Sequence, residues 1–464
     1  MVLNLFFMCS QRCPLFRLTM DKHIAEKILS LAKDLKADAA EAFIRVSSST
    51  SIEVKEQKVD AFERARDIGA GLRVLAGGRM GFAFTTDFSE NALTSLARSA
   101  ITNAQNIEPD PYHSIPEKTV ANYQAITLYD PELVALTEKA KIDRVMAMER
   151  EAFRVDQRIK RIRKASASFS ESDTLIMNSR GAEVSYRGTA ASSSIEVVAE
   201  DKGESQAGSD FDVKRFYREL KVEEVGRRAA SKALNLLGAR HLDSVKAPVV
   251  LDAEVAGDFL SIMASSFSAE SLQKKRSLFI NKLGKEVAAS LITVYDDGLL
   301  AEGLGSAPAD DETVLMKKKT VIDKGRLAMF LYNTYTANKD KTMSTGNGIR
   351  GGFKGMPGVG LTNLYIEPGT HSLEELISTT GSGLYVTEVM GAHTANHISG
   401  DFSVGATGFW IEKGRKAYPV REITIAGNIL DLIKNVDAVG SDLRFFGRIG
   451  SPSLRVRELS IGGK

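Results

Sequence analysis

From residue 381 to residue 440 the chain reads GSGLYVTEVMGAHTANHISGDFSVGATGFWIEKGRKAYPVREITIAGNILDLIKNVDAVG. Three short β-type runs, 384–389, 406–411 and 418–423, are separated by glycine-containing turns, and a helix-compatible run, 429–436, follows. Glycines at 400, 405, 408, 414 and 427 each permit a positive φ or a close approach between backbones. The turn Glu412-Lys413-Gly414-Arg415 lies between two apolar runs, which signals a hairpin. Taken alone, the stretch predicts a glycine-rich antiparallel sheet with tight turns.

The same character begins near Ala247, where VKAPVVLDAE opens a strand and short β runs become frequent. This places a mainly β C-terminal domain at 245–464. Before it, Ile24, Ile28, Leu31 and Leu35 recur at helical spacing after Met20 and a candidate N-cap, Asp21. Strand-like segments follow at 40–46, 51–57 and 61–66. Residues 68–87 read as a hairpin turning at Gly77-Gly78, and 89–106 as an amphipathic helix. The proline-rich stretch 107–132 marks a sub-boundary. A helix is expected at 132–156, strands at 158–170, 173–178 and 183–200, a mobile loop at 201–210, and a long helix at 212–237 closed by Gly238. The fold class is therefore α+β: an N-terminal domain, 20–244, with helices over an antiparallel sheet, then the glycine-rich β domain. Residues 1–19 differ from the rest and make a poor secretory signal; they read as a disordered leader, or as a start misplaced ahead of Met20.

A chain of 464 residues exceeds one ordinary core. Its net charge of +2 gives no argument for binding nucleic acid or a membrane surface. No apolar run reaches the roughly 18 residues of a membrane span. Cys9 and Cys13 are the only cysteines, which excludes a disulfide framework and a multi-thiolate zinc site and fits a cytoplasmic home.

The wording of several segments is more specific than their physics. TEVMG, SGDFSVGATGFWIEKG and YPVREITIAGN, with STGN at 344–347, VGSDL at 439–443 and the N-terminal GLRV and GRMGFA, resemble the TldD/PmbA family, in its PmbA (TldE) branch. The family also carries the older label of modulator of DNA gyrase. In the TldD branch a His-Glu-x-x-x-His motif at a helix start binds a metal ion, and its carboxylate polarises a metal-bound water for peptide hydrolysis. Carried onto this chain, the glutamate falls on Glu254, but Ala253 and Asp258 replace the two histidines, and the family's additional cysteine ligand falls near Ile449. The resemblance thus implies no catalytic metal in this chain, with zinc in a TldD-like paralogue that partners it. Glu254 and Asp258 otherwise read as an acidic pair favouring a helix N-terminus.

Other candidates are weaker. His393 and His397 have the i, i+4 spacing of a helical metal pair, but Gly391 and Gly400 flank them and favour a loop. GNGIRGGF at 346–353 lacks the Gly-Lys-Ser/Thr ending of a phosphate loop and reads as a flexible loop beside a peptide groove. Asp296-Asp297 and Asp310-Asp311-Glu312 read as turn and solvated loop residues; the latter also match the family's D-x-E place, where they would shape a site without performing chemistry. The leading functional reading is a TldE-like subunit of a metallopeptidase complex acting on unfolded or modified peptides. The alternatives left open are a stand-alone peptidase with a loosely held metal, and a non-catalytic peptide-binding homodimer.

Overall fold

The computed structural model describes residues 22–117 and 123–463. Its first half is built on one antiparallel sheet of β1 (Ala39–Lys55), β2 (Lys58–Ala76), β3 (Arg79–Thr85), β4 (Ile159–Asn178), β5 (Glu183–Asp201) and β6 (Glu204–Lys214), in the order β3-β2-β1-β4-β5-β6. Several segments that read as separate strands are single long ones: 40–46 and 51–57 are parts of β1, and 158–170 and 173–178 are parts of β4. The Gly77-Gly78 hairpin forms as expected, with φ of 58° and 74° that suit a tight turn between twisted strands.

Helices cover one face of this sheet. At one end lie α1 (Lys22–Asp34) and α2 (Glu90–Gln105), the latter capped by Ser89. At the other end lie α3 (Pro131–Ala135), α4 (Glu138–Val155), capped by Thr137, and α5 (Val222–Asn235). Alternate residues of β1 supply both cores: Ala40, Ala42 and Ile44 pack under α1 and α2, and Ile52 and Val54 under α4 and α5. Gly208 lies so close beneath α5 that a Cβ there would strike the backbone of Ala229 and Ala233. The expected loop at 201–210 and the first part of the expected helix at 212–237 are corrected: 204–214 is strand, and α5 starts only at Val222.

The second half contains β7 (Val245–Leu251), β8 (Val294–Asp297), β9 (Lys318–Asp323), β10 (Arg326–Leu327), β11 (Gly348–Ile349), β12 (Gly358–Val359), β13 (Leu364–Ile366), β14 (Gly383–Met390), β15 (Asp401–Glu412), β16 (Arg415–Asn428), β17 (Val436–Val439), β18 (Arg444–Phe446), β19 (Ile449–Ser451) and β20 (Leu454–Gly462). One sheet runs β16-β15-β14-β7-β20-β17, and an added β16–β20 pairing closes five of its strands into a ring. A second sheet runs β10-β9-β8-β13-β19-β18. Between them lies α6 (Ala253–Ala264), whose Val255, Phe259, Leu260 and Met263 enter the large core shared by both sheets. The turn at 412–415 is the predicted hairpin, with positive φ at Lys413 and Gly414.

The two halves meet on the sheet face opposite the helices and also beside β6, where α5 and β18 residues bridge them. Phe353 packs with Phe43 and Ile176 on the helix-free face, over Gly69 and Gly71, where a Cβ would collide with it. The architecture is α+β, with the sheet-rich part C-terminal. Among the described residues no helix is long and apolar enough to cross a membrane.

Candidate functional site

The start of α6 follows directly from β7. Asp252 caps the helix by accepting the Glu254 N–H, and its other oxygen accepts the Tyr385 hydroxyl at 2.6 Å. Ala253 is buried and presents only a methyl group. Glu254 is not free: its Oε2 accepts from the Lys232 ammonium at 2.8 Å. Lys232 comes from α5 in the other half of the molecule and stands 3.2 Å from Oδ1 of the fully buried Asp210, which also pairs with Arg228. Burial, together with the charges of Glu254 and Glu388, pushes the Asp258 carboxyl up to about 6, although Lys232 opposes the shift. Glu388 on β14 is raised by burial and by Glu254. Burial pulls the Lys232 ammonium down, but Glu254 and Asp210 more than offset this and hold it above its ordinary value.

A cluster of carboxylates therefore surrounds a lysine ammonium at the start of α6. Ile449, on β19, lies against the same helix: a Cβ on Gly257 would stand 4.0 Å from its Cγ2. The fold thus brings Ala253, Glu254, Asp258 and Ile449, the positions matched to the metal ligands and their glutamate, to one helix, while Asp310 and Glu312 lie in a separate network. They do not suit a zinc ion, because the available donors are hard carboxylate oxygens, two ligand positions carry apolar side chains, and Glu254 is already engaged by a cation. Among the described residues no group of three His, Cys, Asp or Glu side chains is arranged to hold a metal ion. Lys232 and Asp210 were not legible in the sequence as members of this cluster, since they lie on other elements and carry no local motif.

His393 and His397 do not form a helical pair. A single 3-10 turn, Ala392–Thr394, ends before the extended Ala395, and both rings are exposed. The His397 Nδ1 is 3.0 Å from the Ile262 carbonyl oxygen, at the end of α6.

The acidic runs read as solvated are buried instead. Asp296 is fully buried between the Lys319 ammonium at 2.8 Å, the Asn347 amide and the Thr362 N–H. Asp310 accepts the backbone N–H groups of Glu312, Val314 and Gly348; burial and the neighbouring Glu312 nonetheless raise its carboxyl well above the usual range. Glu312 receives Arg73, which also reaches Glu41, and Glu41 receives Arg350. Burial pushes the Glu41 carboxyl up, but Arg73 and Arg350 prevail and hold it below its ordinary value. The loop 346–353 is pinned into this network through Asn347, Gly348 and Arg350, rather than being free along its length. Asp296 and Asp310 brace the second half internally, while Glu312 and Glu41, through Arg73 and Arg350, tie the halves together, roles that chain-local patterns do not reveal.

Comparison with known proteins places this geometry. Three models describing the PmbA/TldA metallopeptidase match consecutively: domain 1 at residues 40–104, the central domain at 131–237 and the C-terminal domain at 244–463. Metalloprotease PmbA of Escherichia coli O157:H7 is 31% identical over 449 residues, covering 96% of this chain and 97% of its own. A Thermotoga maritima protein proposed as a modulator of a DNA gyrase has a crystal structure that superposes with a TM-score of 0.89 at 28% identity, covering 95% of this chain and 100% of its own. TldE from Thermococcus kodakarensis superposes with a TM-score of 0.86 at 25% identity, covering 95% and 100%. With both the sequence and the fold matched along nearly its whole length, the chain belongs to the PmbA/TldD metallopeptidase family.

Proposed function

We propose that this chain is the TldE-like, metal-free subunit of a TldD/TldE-type metallopeptidase complex that acts on unfolded or modified peptides in the cytoplasm. The observation that carries this reading is the Lys232 ammonium bound to Glu254 beside the raised Asp258 carboxyl. A positive charge fixed at that place disfavours a divalent cation and leaves no vacant ligand set for a hydrolytic water. On this reading zinc and the hydrolytic water belong to a paralogue retaining both histidines, and this chain helps hold the substrate.

The test is a proteolysis assay on an unfolded peptide, using this chain alone, the paralogue alone and the two mixed, with and without chelator. Cleavage that needs the mixture and is abolished by chelator is the expected result. Stoichiometric metal in the isolated chain, with chelator-sensitive cleavage, would replace this reading with a stand-alone peptidase.

A further inference from the structure

The helix-free face of the first sheet is partly left open where the two halves meet, and a cavity of about 220 Å³ lies there. Four guanidiniums line it: Arg45 on β1, Arg215 just beyond β6, Arg350 after β11, and Arg448 between β18 and β19. Their charges are poorly matched. Arg350 bonds Glu41 and the Asp311 carbonyl oxygen, yet its Nε, on a side chain only 1% exposed, has no partner. Arg215 is buried and donates only to main-chain oxygens, those of Gly303, Leu304, Leu128 and Thr189. Burial, with Arg448 nearby, pulls it down to about 10. Arg45 is half-buried and Arg448 exposed; their guanidiniums form no hydrogen bond or ion pair among the described residues, although the charge of Arg45 reaches the Asp311 carboxyl. Two acids border the cavity. The Asp311 carboxylate accepts the backbone N–H of Arg350, and Glu171 is engaged by Ser48 and Arg187. Of the four, Arg215 is held out of water with only main-chain oxygens to receive it, which is costly, and a bound anion would remove that cost. Guanidinium forks match a carboxylate or phosphate group in particular.

What the anion is attached to follows from the same face. Along β1 from Arg45 come Ser47, Ser49 and Ser51, paired in register with Ser172, Ser170 and Ser168 of β4. Ser168 and Ser166 pair in turn with Ser192 and Ser194 of β5. These last serines floor a second cavity of about 430 Å³, walled by Phe211 and Val213. The hydroxyl-lined track from Arg45 to Ser51 spans about 20 Å, the length of some six extended residues. The first cavity is too small for a nucleotide-sized ligand. We propose that this cavity is an anchor for the terminal carboxylate of an extended peptide lying on the serine face. The choice of a peptide as carrier rests on the function proposed above; the anion site does not.

The test is calorimetry on the full chain at low ionic strength. The probes are a six-residue uncharged polar peptide as the free acid, the same peptide amidated, an amidated version with one internal glutamate, and inorganic phosphate. The free acid is expected to bind about ten-fold or more tighter than either amide. Phosphate should compete with it, and Arg45→Gln combined with Arg448→Gln should erase the preference without shifting thermal unfolding. Equal affinity of acid and amide, a preference that survives the double variant, or a glutamate amide as tight as the acid would each overturn the terminal-carboxylate anchor while leaving a peptide-binding subunit standing. Phosphate binding that depends on the two arginines, with no peptide bound, would keep the anion site but overturn the peptide anchor together with the function it draws on. No arginine-dependent binding of any probe would overturn the site altogether.

Discussion

Lys232 is the residue on which the acidic cluster at α6 depends. Replacing it by methionine keeps the aliphatic stem and removes the charge, leaving Glu254 beside Asp258 without a cation while Asp210 keeps Arg228. Lys232→Met is expected to cost about 2 kcal/mol of stability, read by urea denaturation at pH 7, because removing one partner of a largely buried pair leaves the other charge uncompensated. Asp258 behaves oppositely. Its folded carboxyl titrates at about 6, above its unfolded value, so the folded state holds the proton more tightly. As pH rises through the unfolded value near 4, the unfolded chain loses its proton first and stability falls; above about 6 the loss is complete. Asp258→Asn abolishes this penalty. It should therefore match the parent near pH 4 and exceed it by about 1 kcal/mol at pH 7, a value reduced for the group's partial exposure. Denaturation curves at pH 4, 5 and 7 check the trend, and a gain that grew as pH fell would contradict it.

Among the elements, β6 shows how a strand can hide. Its inward residues are Gly208, Asp210 and Asp212, while Phe211 and Val213 face outward, so the usual alternation is inverted and the segment resembles loop and helix start. The inversion has a cause in packing. Gly208 lets α5 approach the sheet, and Asp210 meets Arg228 and Lys232 from that helix. Gly208→Ala should force α5 outward and cost about 2 kcal/mol, as overpacking does elsewhere, measured as a lower urea midpoint with unchanged m-value. By contrast α2, α4 and the two hairpins at 77–78 and 413–414 were readable directly, since caps, apolar spacing and positive-φ glycines act over a few residues.

At the scale of the whole molecule, the buried chain of Glu312, Arg73, Glu41 and Arg350 joins strands of the first sheet to loops of the second half. Glu41→Gln would leave two arginines without their shared carboxylate, and is expected to cost about 4 kcal/mol and to loosen the interface between the halves. Thermal unfolding checks the loss, and hydrogen exchange at 346–353 checks where it falls. A variant as stable as the parent would show that the network contributes specificity rather than stability. The sequence by itself determined the α+β class, the principal helices of the first half, the tight hairpins and the family wording, because those are set by contacts a few residues apart or by ordered motifs. Only the tertiary structure decided that the acidic runs are buried, that 204–214 is a strand and that a lysine reaches the start of α6. Each of those depends on charges or backbones far apart in the chain meeting in a space where water no longer screens them.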